Sequence, residues 1–177
     1  ESNPYALQEP LYNITRPENL KFLECFRQVL DEYPAVTSVG ELGAVTDMYT
    51  RIAEYTEQGK RIHMAYSFDF MTKEFSAAHI RRVVEKMEAM GGGWSCWAFS
   101  NHDIARAVTR WGVGPAAAPL LTAILTSLRG SSCFYEGEEL GLPEAEIAYE
   151  DVQDPFGIRF WPEFKGRDGC RTPIPWS

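Results

Sequence analysis

Short apolar runs rich in β-branched and aromatic residues alternate along the chain with segments in which apolar residues recur at helical spacing. The runs predict strands, and their ends lie about 30 residues apart, the length of one strand–helix unit. Strands are predicted at residues 36–39, 62–70, 95–101 and 132–135, with carboxyl ends at positions 41, 70, 101 and 135. Helices are predicted over residues 17–33, 45–55, 76–87 and 115–128, with a shorter helical segment at 106–108.

The predicted helix ends carry recognisable capping signals. Thr15 and Glu18 have the capping-box spacing for the first helix, which Pro34 closes. Ser76 is a good N-cap for the third helix, and Gly130 ends the fourth. After residue 135 the pattern predicts a long polar stretch and then a tail rich in proline and aromatic residues.

This order of elements predicts an α/β fold with a parallel sheet buried on both faces. Right-handed crossovers would place the carboxyl ends of all four strands at one edge. The periodicity leaves two architectures open, an open doubly wound sheet and part of a (β/α)₈ barrel. A whole barrel takes about 250 residues, and this chain has 177. We therefore expect a segment of a larger enzyme.

Charge and cysteine content narrow the function classes. The formal net charge of −8 argues against binding to nucleic acid or to an anionic membrane surface, and no apolar run approaches the length of a membrane span. The cysteines at positions 25, 96, 133 and 170 are scattered, which predicts reduced core thiols in a cytoplasmic protein rather than a zinc site. No nucleotide-binding glycine motif follows a strand, and no metal or cofactor is predicted.

Two predicted strands end in carboxylates. Residues 99–103 (Phe-Ser-Asn-His-Asp) bring His102 and Asp103 to one strand end, and Glu41 follows Val39 and Gly40 at another. In barrels of parallel strands the chemistry is done at these ends, and two facing carboxyl groups are the minimum for glycoside hydrolysis. Simpler interpretations stay open. The Glu41 carboxylate would also be stabilised by the dipole at the N-terminus of the following helix, and Asp103 would also serve as a helix N-cap.

The remaining polar positions are weaker candidates. Asp69 lies at the end of the second predicted strand, where we expect a structural role, and Phe68 beside it would either stack on a sugar ring or fill the core. The acidic cluster at 136, 138 and 139 is typical of a solvated surface.

Four motifs in this order resemble the α-amylase superfamily of glycoside hydrolases, family thirteen, and in particular bacterial α-glucosidases and oligo-1,6-glucosidases. They are residues 39–41 (Val-Gly-Glu), 99–103, 135–141 (Tyr-Glu-Gly-Glu-Glu-Leu-Gly) and 167–176 (Arg-Asp-Gly-Cys-Arg-Thr-Pro-Ile-Pro-Trp). The family often has Gln in place of Glu136 and Met in place of Ile174, and neither change touches the chemistry.

The resemblance implies a partial TIM (β/α)₈ barrel, from about the fourth helix to the eighth strand and its following loop. Residues 1–177 would then be a fragment of a single catalytic domain, without its N-terminal half and the C-terminal β-domain. The family's nucleophile, an aspartate at the end of the fourth strand, has no match here. The chain alone is therefore expected to be inactive, and either to dimerise through its exposed barrel edge or to be one piece of a nicked or truncated enzyme.

The resemblance also implies residue roles within a retaining α-glucosidase. Glu41 would be the general acid/base and Asp103 the transition-state stabiliser. His102, Glu138, Arg167, Arg171 and Phe68 would bind the substrate, a small malto- or isomalto-oligosaccharide or sucrose. A divalent cation elsewhere in the parent enzyme is compatible with this assignment.

Three alternatives stay open on the sequence. The chain would instead belong to a sucrose isomerase or transglucosidase of the same family, to a non-catalytic barrel relative, or to a sugar-binding or interaction fragment. Non-catalytic relatives usually lose the strand-end carboxylates, whereas Glu41 and Asp103 are both present.

Overall fold

Strands and helices alternate in the computed structural model, which describes residues 12–42, 47–57, 59–89 and 91–175. The strands are β1 (Val39–Leu42), β2 (Met64–Ser67), β3 (Cys96–Trp97) and β4 (Ser131–Ser132). The helices are α1 (Glu18–Leu30), α2 (Met48–Tyr55), α3 (Ala77–Ala89), α4 (Ala107–Arg110), α5 (Ala118–Ser127) and α6 (Pro155–Phe160). Single 3₁₀ turns lie at Asp69–Met71, Pro115–Ala117, Tyr149–Asp151 and Asp168–Cys170.

All the strand pairings among the described residues are parallel. Glu41 on β1 lies opposite Tyr66 on β2, and Cys96 on β3 lies opposite Ser131 on β4. A parallel bridge between Ala65 and Ser95 joins the two pairs. The strands therefore lie side by side in sequence order, as consecutive strands of a (β/α)₈ barrel do, whereas a doubly wound sheet reverses order at a switch point. The predicted parallel α/β architecture is confirmed.

The core lies between the strands and the helices that cover them. Leu121 and Leu125 are four residues apart on α5, so they share the face turned to the sheet, and both are buried. Phe99 is equally buried, and Phe70 packs beside it with ring centroids 5.6 Å apart. This layer fixes the apolar run that leads from β3 into residues 99–103.

Helix ends agree with the sequence at one predicted cap and disagree at another. The Ser76 hydroxyl accepts a hydrogen bond from the His79 amide at 3.1 Å, which confirms the predicted N-cap of α3. The predicted capping box of α1 is wrong, because Thr15 has a left-handed φ of 49° and Pro17 takes the N-cap position with no side-chain bond. The predicted start of α2 at Val45 lies outside the described residues.

The strands are shorter than predicted, and the tail holds a helix that the pattern did not indicate. The apolar run at 62–70 pairs only over Met64–Ser67, after which the chain turns into a buried 3₁₀ turn. Apolar residues beyond the ladder are buried without strand partners, so hydrophobicity overestimates strand length. Helix α6 begins after Asp154, whose carboxylate accepts the Phe156 amide at 3.1 Å, with Pro155 in the first turn.

One side of the molecule exposes apolar residues. None of the residues of α1 is buried, and Phe22 and Tyr33 are 65% and 60% exposed. Val39 lies on β1, which pairs with β2 alone among the described residues, and is 53% exposed. Within the described residues no helix combines the length and the apolar character needed to cross a bilayer.

Packing of α5 against the sheet should dominate the stability of this chain. We expect Leu121→Ala to lower the free energy of unfolding by about 2–5 kcal/mol, since it leaves a cavity in a closed core. Leu120→Ala is the matched control, because Leu120 is 58% exposed on the same helix. Urea unfolding of both variants measures the difference. Equal losses of unfolding free energy would show that packing of α5 against the sheet does not dominate the stability.

Candidate active site

Glu41 lies on β1 at the carboxyl edge of the sheet and is tied to the neighbouring strand. The Tyr66 hydroxyl donates a hydrogen bond to Oε2 of Glu41 from the position directly opposite in the ladder. Burial and this hydrogen bond both raise the pKa of Tyr66, so the phenol keeps its proton. Glu41 is therefore the acceptor, while its other oxygen is free of this bond.

Phe68 lies just beyond β2, beside the Glu41–Tyr66 pair. Its ring meets the Tyr66 ring edge-on, with centroids 6.0 Å apart, and the residue is only half-buried. An aromatic ring in that position is available both for packing and for contact with a sugar face.

Asp103 follows β3 and is held by two arginines from the tail. Arg167 Nη1 and Arg171 Nη2 donate to the same oxygen, Oδ1, at 2.8 and 2.9 Å. The described part of the chain makes no hydrogen bond to Oδ2. Two guanidinium groups on one carboxylate oxygen fix the orientation of the carboxylate and leave its second oxygen for a ligand.

His102 and Arg171 complete the rim of this cluster. Arg171 Nε also donates to the His102 carbonyl at 2.7 Å, so its guanidinium is anchored at two points. The His102 ring lies 3.7 Å from Asp103 Oδ1 and its side chain is 59% exposed. The Asn101 carbonyl oxygen Oδ1 accepts the Asp103 amide at 2.9 Å, which shapes the turn that presents the carboxylate.

The structure brings some predicted site residues together and leaves others apart. Asp103, His102, Arg167 and Arg171 form one cluster of direct contacts. Glu41 and Phe68 lie with Tyr66 at the same edge of the sheet, two strands away. Asn101 lies between the two groups, because its side chain interacts with Tyr66 on one side and accepts the Asp103 amide on the other.

Glu138 lies apart from that cluster, in the interior between β3 and β4. It is 8% exposed, its Oε2 accepts the Tyr135 amide at 3.3 Å, and its Oε1 has no hydrogen-bond partner among the described residues. Burial raises the pKa of Glu138 to about 7, although the Tyr135 and Ser100 hydrogen bonds oppose the shift. The carboxyl group lines a closed space shared with Ser100, Arg106 and Tyr135.

Arg106 and Asp154 are polar residues at this end of the sheet that the sequence did not indicate. Arg106 is 2% exposed, and its guanidinium donates to the carbonyls of Glu136 and Thr172 and lies over the Tyr135 ring. The Asp154 side chain is fully buried and pairs with Arg167. The one available signal was the Asp-Pro pair at 154–155, typical of a helix start.

No group of three or more metal-binding side chains occurs in the described residues. The carboxylates at this edge are instead surrounded by hydroxyl and guanidinium groups. Such an arrangement can orient sugar hydroxyls and stabilise positive charge that develops between two carboxyl groups.

Residues 4–177 match the family described as alpha amylase, catalytic domain. The chain belongs to the α-amylase family. The sequence prediction of this family is therefore confirmed.

The relatives of this α-amylase-family chain are considerably longer than it is. It is 51% identical to a probable alpha-glucosidase of Rhizobium meliloti over 99% of the chain and 33% of that protein. It is 28% identical to the oligo-1,6-glucosidase of Parageobacillus thermoglucosidasius, over 94% of the chain and 36% of the relative. The chain thus spans about one third of these relatives.

A solved structure supports the same relationship. The chain superimposes on the crystal structure of the alpha-glucosyl transfer enzyme XgtA with a TM-score of 0.91 and 57% identity. The match covers 99% of this chain and 33% of that one. The fold of this chain therefore also occurs in that enzyme.

The buried carboxyl of Glu138 should make the stability of this α-amylase-family chain depend on pH. The pKa is higher in the folded chain, so the folded state holds more protons between about pH 4.5 and 7, and stability falls as pH rises through that range. We expect Glu138→Gln to remove this loss, which is about 3 kcal/mol at pH 8.

Urea unfolding between pH 4 and pH 8 measures this difference. Glu139→Gln, at the exposed neighbouring position, is the control and should follow the unsubstituted chain. The prediction is contradicted if the free energy of unfolding depends on pH in the same way for Glu138→Gln and for the unsubstituted chain.

Proposed function

We propose that this chain is part of a retaining α-glucosidase and forms about the fourth helix to the eighth strand, with the following loop, of its (β/α)₈ barrel. Residues 1–177 are then a fragment of a single catalytic domain. The observation that carries the proposal is the Asp103 carboxylate, held on one oxygen by Arg167 and Arg171 at the carboxyl edge of parallel strands.

Glu41 acts as the general acid/base in this proposal. A retaining enzyme needs a carboxyl group that first protonates the glycosidic oxygen and later deprotonates water. The Tyr66 hydroxyl occupies Oε2 of Glu41, so the proton for the leaving group is carried on Oε1. The parallel ladder fixes the backbone of Glu41 opposite Tyr66, and the Tyr66 hydrogen bond orients the carboxyl group.

Asp103 stabilises the positive charge of the oxocarbenium-like transition state and accepts a sugar hydroxyl through Oδ2. The arginines fix the orientation of the carboxylate in advance, which lowers the cost of reorganisation during the reaction. His102, Arg167 and Arg171 line the same sugar position, and Phe68 offers its ring to a sugar face. Glu138 is buried and supports the backbone of Tyr135.

The substrates in this proposal are small α-glucosides, namely malto- or isomalto-oligosaccharides or sucrose, as part of carbohydrate metabolism in the cytoplasm. Support comes from the relatives, which include a probable alpha-glucosidase and an oligo-1,6-glucosidase. Transfer of glucose to a sugar acceptor is the second candidate, favoured by 57% identity to an alpha-glucosyl transfer enzyme. Both reactions use the same Glu41 and Asp103.

The proposed activity belongs to a longer parent polypeptide. A retaining mechanism needs a nucleophilic carboxylate about 5–5.5 Å from the acid/base, and no residue of this chain matches the motif that supplies it in the family. We therefore expect the polypeptide from the source to have about three times the 20.0 kDa mass of this chain, as the one-third coverage of the relatives suggests.

Activity assays on the parent and on the isolated chain test this proposal. The parent should hydrolyse both maltose and 4-nitrophenyl α-glucoside, and the isolated chain neither. Glu41→Gln in the parent should lower kcat/KM for maltose by about 10²–10⁴-fold. The loss in kcat/KM should be smaller for the aryl glucoside, because kcat/KM reports the step in which the leaving group departs and nitrophenolate leaves without a proton.

Glu139→Gln is the matched control at an exposed site and should keep full activity. Analysis of the products separates free glucose from newly formed glucosides, and so separates hydrolysis from transfer. Hydrolysis by the isolated chain, or an equal loss on both substrates in Glu41→Gln, would refute the assigned roles.

Self-association of the isolated chain is a further part of the proposal. The candidate contacts are exposed apolar residues on α1, after its end and on β1, namely Phe22, Val29, Tyr33 and Val39. An edge strand with free backbone groups pairs readily with another strand.

Sedimentation velocity measures the association. The isolated chain should form dimers or larger species, and Val39→Lys should shift it towards the monomer, since an edge lysine opposes strand pairing. Leu140→Lys, at a site that is 59% exposed in the loop after β4, should leave the association unchanged. A monomeric unsubstituted chain would argue against an open apolar edge.

A further inference from the structure

Arg167 is held far more firmly than a surface arginine. Its Nε and Nη2 donate to the two oxygens of Asp154 at 2.8 and 3.0 Å, a fork-shaped pair of bonds. Its backbone amide donates to Asp154 Oδ2 as well, at 2.9 Å. One carboxylate therefore fixes both the main chain and the guanidinium plane of Arg167.

The Asp154 carboxylate is itself immobilised. Its side chain is completely buried, and Oδ1 also caps helix α6 through the Phe156 amide. The Arg167 hydrogen bonds, aided by the backbone amides, lower the pKa of Asp154 to about 2, so it is ionised at any working pH. A buried charge of this kind persists only with such partners.

The backbones around the two residues hold each other in place. Asp168 Oδ2 accepts the amides of Gln153 and Asp154, at 2.6 and 2.9 Å. Gly166 has a φ of 88°, and a Cβ on Gly157 would lie 2.8 Å from the Gly166 Cα. The two segments thus approach so closely that only glycine fits at both contacts.

A guanidinium group is planar, so fixing two of its nitrogens fixes the third. With Nε and Nη2 on Asp154, the Nη1 of Arg167 points at Asp103 Oδ1, 2.8 Å away. Arg171 reaches the same oxygen from an anchor of its own on the His102 carbonyl. Asp154 therefore controls one of the two bonds that orient the Asp103 carboxylate.

We propose that Asp154 is a positioning residue for the sugar site: it orients the Arg167 guanidinium, and through it the Asp103 carboxylate. This inference rests on the proposed function, because Asp103 must contact the sugar for its orientation to matter. Asp154 itself touches no substrate. Its removal should leave Asp103 held by Arg171 alone and free to rotate about that single bond.

Two variants of the parent polypeptide separate positioning from helix capping. Asp154→Asn keeps the size of the side chain but removes its charge and one acceptor. Asp154→Ser can still cap α6 but is too short to form the fork with Arg167. If Asp154 positions Arg167, both variants should fold and lose about 10- to 100-fold in kcat/KM for maltose, mainly in kcat.

Arg167→Met supplies the coupling test. The double variant Asp154→Asn with Arg167→Met should be no worse than Arg167→Met alone, because Asp154 acts only through that guanidinium. Asp151→Asn, an exposed aspartate in the same segment, should keep full activity. The proposal is overturned if the losses of the two single variants multiply in the double variant. It is also overturned if kcat/KM of Asp154→Asn stays within twofold of the value for the unsubstituted enzyme.

An NMR measurement on the 177-residue chain distinguishes failure of this inference from failure of the proposed function. The Arg167 Nε–H signal should be resolved and slow to exchange with water, and Asp154→Asn should abolish that protection. If the parent lacks α-glucosidase activity, the proposed function is wrong, and this signal alone decides whether Asp154 orients Arg167. Fast exchange in the unsubstituted chain would refute the orienting role outright.

Discussion

Parallel pairing of the strands in sequence order is the constraint on which the rest of this structure depends. It places the carboxyl ends of the strands at the same edge, so Glu41 and Asp103 share that edge although they lie 62 positions apart in sequence. Helices cover the outer face through a core of fully buried side chains such as Phe99 and Leu125. Side chains at the edge therefore stand on a rigid support, as a catalytic site requires.

The tail after β4 is part of the site, although little of it is regular secondary structure. Arg167 joins the buried Asp154 to Asp103, which lies 64 residues earlier in the chain. Arg106 ties the same region to the tail through the Thr172 carbonyl. The chain carries a net charge of −8, yet Arg167 and Arg171 both lie against the carboxylates of this region. Charge-assisted hydrogen bonds offset the desolvation of these groups.

Four acidic residues at this end of the molecule differ in their burial and in their hydrogen-bond partners. Glu138 is buried with one oxygen unpartnered, and its pKa rises to about 7. Asp154 is buried, its carboxylate accepts four hydrogen bonds, and its pKa falls to about 2. Glu136 and Glu139, on either side of Glu138, are exposed. Membership of an acidic cluster in the sequence thus says little about the chemistry of its members.

The alternation of strands and helices, their parallel pairing and the family followed from the sequence alone, because side-chain periodicity and short motifs are local properties. The strand-end positions of Glu41 and Asp103 followed from the same patterns. The length of each strand did not, because a ladder ends where its partner ends. Nor did the sequence show that Thr15 would not cap α1, because its left-handed backbone conformation depends on the turn around it.

Only the tertiary structure decided which charges meet. The sequence placed Glu138 and Asp154 in a polar stretch and a tail, with no signal that either would be buried. Their environments arise from contacts between segments far apart in the chain, such as Ser100 with Glu138 and Asp103 with Arg167. Burial and pairing set the energy of a charged group, and both depend on distances that no local pattern encodes.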